Sequence, residues 1–228
     1  MGRNESSIFF RRLDPDWAAD RGGSQRERMM EAMCRAILDK GYTKVTVADV
    51  VRLARVSRTT FYEHFADKEE CFLATYEAGA TALIGEVGAE IRRSGATDWH
   101  DRVRTGLTTY TGLLAADPAL ARALLVDVLG AGPRAVQLRR EVFAGFVDLW
   151  RPARNGDRPA DVALRRVPEE FLRALVGGIG ELVFEQIVTK GAETLPELAP
   201  TLIRLSFTVV EVSDQIGAAP PPGAVASS

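Results

Sequence analysis

Residues 45–65 read VTVADVVRLARVSRTTFYEHF, and the fold turns on whether the first half of this stretch is a strand or a helix. The run is rich in β-branched residues, which strands favour. Spacing decides against a strand. Val47, Val50, Val51 and Ala54 fall on one helical face, whereas a half-buried strand would alternate. Thr46, with Asp49 three residues on, has the form of a capping box. The spacing therefore predicts a short helix over about 47–54. Arg55 and Val56 follow, then Ser57, a good N-cap residue. Phe61 and Phe65, one helical turn apart, give a second short helix one buried edge. Two short helices joined by a tight turn, the second polar on its outer side, make a helix-turn-helix.

Upstream, Met29, Met33, Ala36 and Ile37 repeat at three- and four-residue steps, predicting a helix over 24–39 that Gly41 ends. Downstream, Asp67 caps a fourth helix with Glu70 in the reciprocal position. This helix continues to about Ser94 and is about 40 Å long. Five more helical segments are expected at 99–115, from Pro118 to about 130, and at 133–151, 168–190 and 196–216. Gly177, Gly178 and Gly180 weaken the 168–190 helix unless another helix approaches there or the helix kinks. A mobile arm is expected over 1–23, a polar loop at RPARNGDRPAD (151–161), and a disordered tail over 217–228. The expected fold class is all-α with about nine helices. An N-terminal helix-turn-helix domain of three helices spans 24–70, and a helical ligand-binding and dimerisation domain spans 71–216.

The chain has 228 residues and a net charge of -2, so overall charge does not argue for a nucleic-acid partner. The balance is uneven. Residues 1–70 hold 13 Lys/Arg against 12 Asp/Glu, and residues 71–228 hold 16 against 19. Cys34 and Cys71 have no spacing for a metal or a disulfide framework and read as small core residues. No apolar run is long enough to cross a membrane, and the N-terminus lacks the pattern of a secretory signal. These features predict a cytoplasmic protein with no cofactor and no membrane partner.

The chemistry of the second short helix suits DNA. With Phe61 and Phe65 anchoring it from behind, Arg58, Thr59, Thr60, Tyr62 and His64 point elsewhere. An arginine can bond guanine O6 and N7 together, and a threonine can meet a base edge or a thymine methyl. Tyr62 and His64 can reach phosphate oxygens, although His64 reads equally well as a capping residue. Lys68 and Thr46 stand at helix N-termini, where an anion is favoured. Lys44 and Arg52 read either as contacts or as solubilising charges. Arg11 and Arg12 read as part of the mobile arm, with a minor-groove contact as the other reading.

The stretch from Lys40 to Glu77 resembles the DNA-binding region of the TetR family of bacterial transcription regulators. Gly41-Tyr42, Thr46, Val56-Ser57, Thr60-Phe61-Tyr62, His64-Phe65 and Lys68-Glu69 match its usual pattern in residue type and spacing. The resemblance covers about residues 26–76. It implies double-stranded operator DNA as a partner, contacted through Thr46, Arg55, Ser57, Arg58, Thr59, Thr60, Tyr62, His64 and Lys68. One departure stands out: Arg55 occupies the place of the family's turn glycine. If the turn requires positive φ there, the arginine costs about 1 kcal/mol and adds a side chain that can touch phosphate.

In the second domain, Trp99, Tyr110, Phe143, Phe146, Trp150 and Phe184 are read either as plain core or as the lining of a small-molecule cavity. If they line one, its ligand is apolar or aromatic. Leu175, Ile179 and Leu182 of one helix, with Leu202, Leu205, Val209 and Val212 of the next, form a heptad-like stripe that predicts a homodimer through a four-helix interface. The resemblance agrees and implies repression relieved by a ligand. Three rival readings are an activator of the same fold, a ligand-binding protein without DNA activity, and an all-helical enzyme. No nucleophile elbow, phosphate loop, HExxH or paired-cysteine motif supports the enzyme.

Overall fold

The computed structural model describes residues 24–151 and 167–218, with side chains as far as Ser213. Among these residues there are nine α-helices, three short 3-10 turns and no strand. The helices are α1 (Gln25–Lys40), α2 (Val47–Ala54), α3 (Arg58–His64), α4 (Lys68–Arg93) and α5 (Trp99–Ala116), then α6 (Pro118–Leu125), α7 (Pro133–Trp150), α8 (Glu169–Lys190) and α9 (Leu195–Ala218). The all-α fold class stands. The expected arm, with Arg11 and Arg12, nearly all of the 151–161 loop and the tail beyond Ala218 lie outside the described residues.

Side-chain caps fix where the first helices begin. Ser24 Oγ accepts the Glu27 N–H at 3.3 Å, and a Glu27 carboxylate oxygen accepts the Ser24 N–H at 2.8 Å. Thr46 and Asp49 repeat the arrangement at α2. The valine-rich run is helical: Val50 and Ala54 are buried, and Val47 and Val51 pack against the core. Periodicity outweighed β-propensity here because the apolar residues share one helical face that the core covers.

α2 ends at Arg55, the one non-glycine residue with positive φ among the described residues (φ 56°, ψ 45°). Its N–H, and that of Val56 at 3.1 Å, both reach the Val51 carbonyl. The turn thus keeps the geometry that a glycine would adopt freely, despite the arginine. Arg55→Gly is expected to raise stability by about 0.5–1 kcal/mol, the strain relieved less the extra freedom of glycine in the unfolded chain. A higher urea midpoint at unchanged slope would show it.

α3 packs on α1 and α2 through Phe61 and Phe65, both buried. α4, about 39 Å long for its 26 residues, carries the chain into the second domain. There it packs on α5, α6 and α7, while α9 packs on α5 and α8. α6 crosses α4 closely at Gly79, where a Cβ would lie 2.5 Å from Leu120 Cδ1. In α8 the glycines have different roles. A Cβ at Gly180 would lie 3.0 Å from Phe143, so α7 approaches there, whereas Gly177 and Gly178 face open space. The helix is continuous across all three.

Candidate nucleic-acid interface and ligand cavity

α3 presents the polar edge expected of it. Arg58, Thr59 and His64 are exposed, and Tyr62 is 57 % exposed, unusual for so large a ring. Arg55 and Ser57 are exposed at its N-terminal end. Ser57 Oγ accepts the Thr60 N–H at 2.9 Å and lies 2.9 Å from the Thr60 hydroxyl. Ser57 and half-buried Thr60 therefore hold the start of the helix as well as facing outward. Lys44 and Arg52 are exposed as well.

Thr46 is engaged in its own cap. Its hydroxyl bonds Asp49 Oδ2 at 2.6 Å and its N–H the same oxygen at 2.9 Å. Lys40 Nζ lies 2.6 Å from that oxygen. The Lys40 ammonium, then the Thr46 donors, hold the Asp49 carboxyl well below the usual carboxylate range. A depressed folded-state value means stability that is complete above the unfolded value, near 4, and is lost as pH falls through the folded one. Asp49→Asn is expected to flatten that acid limb, as read by melting temperature against pH from about 5 downward.

Lys68, expected at a phosphate, points the other way. Its Nζ donates to the carbonyls of Tyr42 (3.1 Å), Val45 (3.0 Å) and Thr43 (3.4 Å), and sits 4.5 Å from the Tyr42 ring centroid. Three donors meet three carbonyls, so Lys68 fastens the 42–45 turn, which leads into α2, onto α4. Asp127 provides a second fastening. Its Oδ1 accepts the Tyr42 N–H at 2.6 Å, and its Oδ2 accepts Arg122 Nε–H at 2.9 Å. No local pattern announces Asp127, which meets a partner 85 residues away.

In the second domain a cavity of about 90 Å³ runs along α4, lined on that helix by Tyr76, Ala80, Leu83, Val87 and Ile91. Of the six expected aromatics, Trp99, Tyr110, Phe143, Phe146 and Trp150 line it. Phe184 does not; α8 instead turns Val176, Ile179 and Gly180 toward the cavity. Leu124 and Leu125 of α6 close another side, on the same helix that carries Arg122.

The heptad-like stripe splits. Leu175, Ile179 and Leu202 are buried within the protomer's own core, Ile179 at the cavity wall, so they leave no surface for a second copy. Leu182, Leu205 and Val209 stay half-buried and Val212 is exposed. Phe171 and Val188, which the spacing missed, are also exposed on α8. Two apolar stripes share these helices, and period alone does not say which faces inward.

Cys34 and Cys71 are buried. Burial pushes both thiols up, Cys71 to about 12, so neither offers a thiolate at neutral pH. Among the described residues no cluster of three or more His, Cys, Asp or Glu could hold a metal ion, and no helix is long and apolar enough to cross a membrane.

Residues 30–75 match the family of bacterial regulatory proteins called the tetR family. The uncharacterized HTH-type transcriptional regulator YxbF of Bacillus subtilis (strain 168) is 32 % identical over 62 residues, 25 % of this chain and 16 % of that protein. The match thus spans about one sixth of that relative's length. Whole-chain likeness is structural. The fatty acid degradation regulator FadR from Bacillus halodurans superposes with a TM-score of 0.67 at 18 % identity, over 80 % of this chain and 94 % of that one. FadR from Bacillus subtilis, solved in complex with stearoyl-CoA, gives 0.59 at 15 % identity over 78 % and 95 %. A TetR family transcription regulator from Marinobacter aquaeolei VT8 gives 0.60 at 16 % over 81 % and 94 %. At such identities the likeness is one of fold. Residues 30–75 thus carry the sequence of a tetR-family DNA-binding region, and the described residues share the all-α fold of these regulators.

Proposed function

We propose that this protein is a homodimeric, sequence-specific repressor that binds a near-palindromic operator in the cytoplasm and leaves it when a small apolar molecule fills the second-domain cavity. One observation carries the reading: α3 turns Arg58, Thr59, Tyr62 and His64 outward while Phe61 and Phe65 anchor it from behind. A helix so held can enter a major groove without loosening its own domain. Lys44, Arg52 and Arg55 flank it with exposed positive charge.

The exposed stripe of Phe171, Val188 and Val212, with open space over Gly177 and Gly178, favours a second copy packing on α8 and α9. A two-fold dimer places two α3 helices in successive grooves about 34–36 Å apart. The effector acts by preferring one spacing over the other; reversing a 1:99 population to 99:1 takes about 5.5 kcal/mol of preference. The stearoyl-CoA complex of the similar B. subtilis FadR supports an elongated apolar effector here.

The test is selection of bound duplexes from a random pool, followed by footprinting, light scattering and a promoter reporter. A two-fold symmetric site, a dimer mass and a promoter silenced by the protein are expected. Recovery of unrelated sequences, or a monomer at micromolar concentration, would defeat the reading. Arg58→Ala should cost about 1–3 kcal/mol and relax preference at one base pair per half-site, whereas Tyr62→Ala should weaken all sequences alike.

A further inference from the structure

Tyr76 and Tyr110 are only 2 % and 8 % exposed, and both line the cavity. Among the described residues neither hydroxyl has a hydrogen-bond partner. Neither phenol oxygen is sealed off, so both open on the cavity, where a ligand can supply the acceptor that the fold does not. The two phenols line the same cavity, Tyr76 from α4 and Tyr110 from α5. Burial holds both protonated, Tyr76 up to about 12 and Tyr110 higher still. At neutral pH both therefore offer O–H donors.

The rest of the lining has the same polarity. Its other polar side chains are the indoles of Trp99 and Trp150 and the Arg102 guanidinium, all donors only; no Asp, Glu, Asn, Gln, Ser or Thr lines it. Behind Phe143, the Arg139 guanidinium lies 4.3 Å from the ring centroid, with Nε buried and unpartnered among the described residues. Its charge acts on Tyr76. A cation entering this cavity would meet no carboxylate in the lining and would lose its hydration for nothing. Tyr76 lies eight residues beyond Lys68 on α4, about 12 Å, while Ile91 is about 22 Å further along. The phenol pair thus stands at the end nearer the DNA-binding domain.

We propose that the cavity takes an elongated apolar molecule bearing an acceptor oxygen, carbonyl or carboxylate, which Tyr76 and Tyr110 bind between them, and that it rejects cations. This rests on the reading of the cavity as the effector site. Because Tyr76 and Lys68 share α4, the oxygen sits where a shift of that helix reaches the 42–45 turn.

The probes are decanoate, methyl decanoate, decylammonium and decane, four ligands with one tail, titrated against the full chain. Trp99 and Trp150 line the cavity, so their fluorescence reports occupancy. Decanoate and methyl decanoate are expected to bind at least about tenfold tighter than decylammonium. The double variant Tyr76→Phe/Tyr110→Phe should weaken both oxygen-bearing probes about tenfold and leave decane unchanged, about one hydrogen bond's contribution. The acid and ester arms then separate a carboxylate from a neutral carbonyl as the preferred acceptor. Equal affinity of the double variant overturns the proposal. So does an amine that binds as tightly as the acid, binding by no oxygen-bearing probe, or a loss seen in Arg102→Met but not in the phenylalanine variants. Gel shifts with the selected operator run alongside. Failure of DNA binding with probe recognition intact defeats the repressor reading alone, and the converse defeats only the ligand chemistry.

Discussion

Phe61→Ala is expected to cost about 3–5 kcal/mol and to abolish operator binding. Phe61 is fully buried on a seven-residue helix. So short a helix has little stability of its own and is held by the face it buries. Its ring sits 5.7 Å from that of Phe65, and the pair supplies the buried edge of α3. Arg26 of α1 covers Phe65 at 5.2 Å. Removing one ring leaves a cavity that neighbours on three helices cannot all close. The loss is comparable to the whole stability of a small domain. The signature should be a split transition: the first domain melts earlier, while decanoate binding in the second survives. Phe61→Leu keeps most of the volume and should lose about 1–2 kcal/mol with DNA binding retained. A Phe61→Ala chain that melts as one unit and still binds DNA would mean α3 is held by something other than its phenylalanines.

The contrast between what the sequence announced and what it hid follows from the range of the interactions. Ser24 with Glu27, Thr46 with Asp49, and Ser57 before α3 are contacts within three residues, written in order along the chain. So are the phenylalanine step and the strain at Arg55, where a non-glycine residue stands in a glycine geometry. Lys68 and Asp127 were not legible in that way. One looked like a phosphate contact because it begins a helix, yet its carbonyl partners lie 23 to 26 residues back. The other meets its partner through the packing of α6 against the first domain. The aromatics of α5 and α7 gave the cavity because they fall on faces that turn inward together, but Phe184 sits on a helix with two apolar stripes. Leu175, Ile179 and Leu202 were placed on the wrong stripe for the same reason: they are buried in the chain's own core, and a helix with apolar residues on two sides shows the same residue types on both.

Lys68→Met should weaken operator binding by at least about tenfold while leaving its salt dependence unchanged. The ammonium holds three carbonyls of the 42–45 turn, and bonds to a charged donor contribute about 1.5–3 kcal/mol each before redistribution. Thr43 is exposed and its carbonyl can turn to water; Tyr42 and Val45 are buried residues whose carbonyls have less access to it. Methionine keeps the stem's apolar packing and loses only the donors, so the turn loosens and with it the start of α2. Positioning is lost, and no phosphate contact is removed. Each phosphate contact contributes a slope of about 0.9 in log affinity against log salt. A variant that lost a true contact would show that drop, as Lys44→Ala will if Lys44 touches the backbone. Lys68→Arg should not restore affinity, because a planar guanidinium cannot aim three donors at three converging carbonyls as an ammonium does. If Lys68→Met lowers the slope by about one, the lysine leaves the turn to grip DNA, and the fastening seen here belongs to the unbound protein only.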